Sequence, residues 1–103
     1  MTSIFIVTKK RFMKTRPEDD NRRLDTDVVL GCYRSIDAAR ERLERETKGY
    51  LIVTPGFEYD LNDGTRIVDN FECLSKSSDY VRILFKRSGT IYEWKIQYSS
   101  LDD

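Results

Sequence analysis

The spacing of apolar and polar positions changes several times along the chain, and each change marks an element. Residues 3–12, SIFIVTKKRF, carry four consecutive apolar residues and are rich in β-branched types. That pattern predicts a strand covered on both faces and central in its sheet. Residues 27–34, DVVLGCYR, predict a second strand, with Val28, Leu30 and Cys32 on one side and Val29 and Tyr33 on the other. Gly31 in its middle predicts a bulge or a close approach of backbone. The period then lengthens. Ile36, Ala39, Leu43 and Thr47 are three, four and four apart, the single narrow stripe of an amphipathic helix. Ser35 is placed as its N-cap, Asp37 puts negative charge on the positive end of the dipole, and Gly49 is the expected stop. Around the stripe, Arg40–Glu44, Glu41–Arg45, Arg42–Glu46 and Glu44–Lys48 are each four apart, pairs that contribute about 0.3 kcal/mol apiece and keep the helix soluble.

Residues 50–65 predict a partly extended connection, with Leu51–Val53 as an optional short strand and turn signals at Pro55-Gly56 and Asn62-Asp63-Gly64. Residues 66–75 predict a strand and residues 76–79 a polar turn. The last segment has the clearest pattern: DYVRILFKR and TIYEWKIQY flank Ser88-Gly89, a two-residue hairpin loop. That loop sets Arg87 opposite Thr90, Phe85 opposite Tyr92, Ile83 opposite Trp94 and Val81 opposite Ile96, with the apolar pairs on one face for the helix to cover. The other face carries Tyr80, Arg82, Leu84 and Lys86 opposite Gln97, Lys95, Glu93 and Ile91. Arg82 then meets Lys95, with Glu93 on the diagonal. The fold class is α+β: an antiparallel sheet of about five strands with one helix on one face, in the order β-β-α-(β)-β-β-β.

With 103 residues, 39% of them hydrophobic, the chain is one domain, 1–103, with a flexible charged loop at about 13–25. Twelve aromatic residues argue against disorder. Eighteen basic and 18 acidic residues cancel, so no global field draws the protein to nucleic acid or anionic lipid. The helix is not a basic one, which counts against membrane or calmodulin-type binding. Histidine is absent, removing the commonest general base, metal ligand and nucleophile partner. Cys32 and Cys73 stand in no metal-ligand spacing, and an apolar run at 4–7 is too short for a leader. An intracellular protein, cytoplasmic or nuclear, is expected, with both thiols reduced and buried in strands; a disulfide between them is the rival.

The run Ile4-Phe5-Ile6-Val7-Thr8, followed by Leu30-Gly31-Cys32-Tyr33-Arg34-Ser35 leading into Ala38-Ala39, resembles a set of small uncharacterised domains. Those domains begin with a "VYVVT"-like strand and continue with a "GVYSSxxxA"-like strand and helix start. The resemblance covers about the first 45 residues, and Cys32 replaces the usual aliphatic residue. It implies the order of elements and no activity.

Candidate chemistry is sparse. Asp60, Asp63, Asp69 and Glu72 share one stretch and could form a carboxylate pair for acid/base work, but acidic turn residues are ordinary. Asp60, Asn62 and Asp63 lack the spacing and downstream glutamate of a calcium loop. Cys32 stands near Arg34 in sequence, but core packing is the expected role of both thiols. No cofactor, metal or catalytic residue is expected. Nucleic acid is the main alternative partner, through Lys9, Lys10, Arg11, Lys14 and Arg16 with Arg82, Lys86 and Lys95. Residues 9–27 nevertheless hold seven basic and five acidic side chains, and so small a surplus predicts weak phosphate binding. The leading expectation is a non-enzymatic protein-interaction or regulatory module, binding another protein or a second copy of itself. Its expected surface is the outer hairpin face, Tyr80, Arg82, Leu84, Lys86, Ile91 and Lys95, with the C-terminal strand at a sheet edge. A small enzyme using carboxylates or a cysteine is the remaining alternative.

Overall fold

The computed structural model describes residues 2–16, 18, 21–51, 56–60 and 66–101, with backbone alone at 2, 49, 51, 56–60, 66–70 and 101. Six strands and one helix follow in the order β1 (Thr2–Lys14), β2 (Arg22–Tyr33), α1 (Ile36–Leu51), β3 (Gly56–Asp60), β4 (Arg66–Lys76), β5 (Tyr80–Phe85) and β6 (Ile91–Leu101). The strands form one antiparallel sheet in the order β2-β1-β6-β5-β4-β3. The optional strand exists, though at β3 rather than at Leu51–Val53: Leu51 ends the helix and residues 52–55 lie outside the described residues.

The helix carries the chain from one edge of the sheet to the other. Sixteen residues extend about 24 Å, and five inter-strand spacings, β2 to β3, also amount to about 24 Å. Ser35 caps it as expected, its Oγ accepting from the Ala38 amide at 3.4 Å. Ala39, Leu43 and Thr47 are buried and Ile36 half-buried, so the predicted stripe is the packed face. Leu43 joins Val81, Ile83 and Trp94 in the core. Arg42 Nε donates to Glu46 at 2.7 Å, but Arg40 leaves the helix and binds Asp79, at 2.7 Å.

Gly49 does not stop the helix. Tyr50, one residue on, sets its ring 5.2 Å from Phe71, 6.0 Å from Phe85 and 5.3 Å from Trp94. A glycine in a helix costs about 1 kcal/mol, less than docking a half-buried aromatic ring contributes. The burial that holds this ring also raises the Tyr50 phenol above its ordinary value.

The closing hairpin is shifted by two residues from the expected register. Val81 lies opposite Trp94, Ile83 opposite Tyr92, Arg82 opposite Glu93 and Leu84 opposite Ile91. The loop is Lys86–Gly89, closed by the Phe85 amide donating to Thr90 O and the Gly89 amide donating to Phe85 O, both at 2.8 Å. Gly89 takes φ +75°. A shift of two keeps every side chain on its face and exchanges an Arg82–Lys95 confrontation for an Arg82–Glu93 pair.

The C-terminal strand is not an edge: β6 lies between β1 and β5, and the edges are β2 and β3. The strands flanking the first loop also run further than expected, to Lys14 and from Arg22, which confines that loop to residues 15–21. Both cysteines are free and exposed rather than buried. Cys32 lies on the edge strand, and Cys73 lies on β4 opposite the core residue Ile83 yet is itself exposed. Gly31 meets both expectations. Leu30 beside it is the extra residue of a bulge, and a Cβ at Gly31 would lie 2.8 Å from the Tyr33 hydroxyl. The bulge breaks the expected alternation, turning Val28 to the helix side of the sheet and Cys32 to the other.

Candidate functional site

Cross-strand register places the outer face of the sheet in rows. Asp27, Lys10, Glu93 and Arg82 are neighbours across β2, β1, β6 and β5, a ladder of alternating charge in which each cation lies beside an acid. The next row is Val29, Thr8, Lys95 and Tyr80, and on the other side lie Leu24, Phe12, Ile91 and Leu84. Five of the expected partner-binding residues, Tyr80, Arg82, Leu84, Ile91 and Lys95, therefore do share this face, while Lys86 sits in the hairpin turn. They do not make an apolar patch. Ile91 is only 4% exposed, Leu84 is half-buried, and the Tyr80 hydroxyl donates to Glu93 Oε2 at 2.8 Å. Burial and that bond raise the Tyr80 phenol.

The basic residues proposed for nucleic acid are divided between the faces. Lys10, Lys14, Arg82 and Lys95 lie on the outer side, Lys9 and Arg11 on the helix side, Arg16 in the loop and Lys86 in the turn. Lys9 Nζ lies over the rings of Tyr92, at 4.7 Å, and Trp94, at 5.4 Å, a cation–π placement. Arg11 donates through Nε to Asp25 Oδ2 at 2.8 Å and also through Nη2, and Thr26 Oγ1 donates to the same oxygen at 2.9 Å. The guanidinium holds the Asp25 carboxyl below the ordinary carboxylate value. A hollow of about 150 Å³ between Lys9, Arg11, Thr26, Val28 and Tyr92 thus has its cations engaged by rings and by a carboxylate.

Of the candidate carboxylates, Glu72 is exposed on β4 opposite Leu84. Asp60 and Asp69 have described backbone only, and Asn62 and Asp63 lie outside the described residues. Among the described residues no cluster of three His, Cys, Asp or Glu side chains could hold a metal, and no helix is long and apolar enough to cross a membrane.

What sequence reasoning missed is the other edge. Among the described residues, strand β2 has one neighbour, β1, along its 12 residues. Val28 is 44%, Val29 59% and Leu24 47% exposed. Two bulges interrupt the strand, with Asp25 and Leu30 as the extra residues. Regular edge is left between them, at Thr26–Val29, where the two valines point to opposite faces. Bulges and edge charges are how sheets discourage indiscriminate pairing, so what stays open here is short and defined. The sequence held one signal: charged residues, Arg22, Arg23, Asp25 and Asp27, crowded into a strand that also carries adjacent valines. Neither a protein-family model, nor a curated protein, nor a solved structure matches the chain.

Proposed function

We propose that the chain is a non-enzymatic protein-interaction module that self-associates by adding a second copy of β2 to its own β2 edge. The carrying observation is the pair Val28 and Val29, exposed on both faces of an edge strand whose outer flank is open among the described residues. Main-chain pairing along such an edge supplies affinity, and alternate side chains supply selectivity. A further feature favours a copy of the same chain. An antiparallel copy centred on Thr26–Val29 sets Thr26 of each strand opposite Val29 of the other and Asp27 opposite Val28, so one four-residue stretch forms both halves of a two-fold contact.

Sedimentation velocity over a concentration series tests the reading. The expected result is a concentration-dependent dimer that Val29→Lys converts to a monomer with an unchanged far-ultraviolet circular dichroism spectrum and a thermal midpoint that no longer depends on concentration. A wild-type chain that stays monomeric at the highest concentration overturns self-association. If such a monomer shows β2 amides protected from exchange only when a foreign polypeptide is added, the edge belongs to another protein's strand.

A further inference from the structure

We infer that a second surface, independent of β2, is a binding site for a small amphipathic monoanion such as a medium-chain carboxylate. The site is a cleft of about 410 Å³ between α1 and the β4–β5 turn, lined by Leu43, Thr47, Lys48, Lys76, Ser77 and Val81 among others. Its size falls in the range of small-molecule sites, roughly 300–1,000 Å³. The floor is apolar and fixed: Leu43 and Val81 are core residues, each 2% exposed. Thr47 beside them has its hydroxyl satisfied, donating to the Leu43 carbonyl at 2.8 Å. A hydrocarbon chain laid there removes the accessible fringe of this floor from water with no polar group left unpaired.

The rim sets the sign of the ligand. Arg40 and Asp79 neutralise each other through Nε–Oδ1 at 2.7 Å and Nη2–Oδ2 at 3.5 Å, and this pair ties the helix to the start of β5. Hydroxyls of the turn are engaged locally, Ser77 Oγ with Tyr80 O at 3.4 Å and Ser78 Oγ with Asp79 Oδ1 at 3.2 Å. Lys48, Lys76 and Glu44 remain, two cations against one anion, a surplus of one positive charge on the lining. Lys48 stands on the last turn of the helix and Lys76 at the end of β4, so the two lysines belong to opposite walls of the cleft. A carboxylate head between them satisfies the surplus while its chain covers Leu43 and Val81. The lysines do not make the cleft a general phosphate grip, because a surplus of one positive charge leaves the second negative charge of a phosphate uncompensated.

The test is amide chemical-shift mapping on the intact chain, titrated with octanoate and, separately, with 1-octanol and octylamine at constant ionic strength. Octanoate is expected to shift Leu43, Thr47, Lys48, Ser77 and Val81 saturably at millimolar concentration, and octylamine not to. Substituting both exposed lysines, Lys48→Glu with Lys76→Glu, should weaken octanoate about tenfold or more, as loss of hydrogen bonds to a charged group does. Lys48→Gln with Lys76→Gln serves if charge reversal disturbs folding, and should weaken it in the same direction. The inference is overturned if octanoate shifts no amides saturably, if its shifts map elsewhere, if the three probes bind alike, or if the lysine substitutions leave its affinity unchanged.

Discussion

Gly89 is where the closing hairpin turns, and its conformation is one that other residues rarely adopt. Its φ is +75°, and a Cβ added there would lie 2.8 Å from Lys14 Cε. The lysine can move, but the left-handed backbone costs an L-residue about 1–2 kcal/mol. Gly89→Ala should therefore lower stability by about that amount in chemical denaturation, whereas Ser88→Ala, next to it, should change it by less. The sequence made this glycine legible as a turn residue but misjudged the length of the turn. The missing information was electrostatic. Arg82 and Lys95 face each other in the two-residue turn, and the four-residue loop resolves that contact by placing Arg82 across from Glu93. Cys32 was misread for a different reason: thiols suit cores, but only the strand order reveals that β2 is an edge.

At the scale of elements, the helix was legible where its own residues decide and illegible where distant ones do. The cap at Ser35 and the stripe Ala39, Leu43, Thr47 follow from local chemistry. The C-terminal end follows from Tyr50 docking against Phe71, Phe85 and Trp94, residues 21 to 44 positions further along the chain. Removing that ring should return the helix end to Gly49's preference. Tyr50→Ala is expected to cost about 2–3 kcal/mol, and hydrogen exchange should show the last helical turn losing protection while the first turn keeps it. The β2 edge was illegible as well, because strand periodicity reports which face is covered and not which flank is paired. The alternating row Asp27, Lys10, Glu93, Arg82 was hidden too, since it exists only once four strands are in register.

The whole molecule is extended for its mass. Its radius of gyration is 16.1 Å, against about 13 Å for a compact domain of this length, and its extents are 57 × 29 × 24 Å. Such a shape leaves charged pairs at the surface, and two of them contribute to the response to acid. Arg11 holds the Asp25 carboxyl below its ordinary value, and Arg40 does the same for Asp79. A carboxyl lowered in the folded state stabilises the fold above its unfolded pKa, about 3.9. That stability is lost as pH falls through the depressed value. Thermal midpoints should decline below about pH 4, and Asp25→Asn with Asp79→Asn should flatten that decline in the same window while leaving slopes at neutral pH unchanged.

An interior seam of this sheet joins β1 to β6 along their length, from Thr2 opposite Leu101 to Phe12 opposite Ile91. On a ribosome the first hairpin therefore emerges with one flank of its inner strand open, and that flank stays open until the final strand has been made. Any chaperone or neighbouring nascent chain meets β1 before β6 does. That pairing therefore waits until every strand of the sheet has been made, and the interval before it forms is set by translation rather than by the stability of the finished fold.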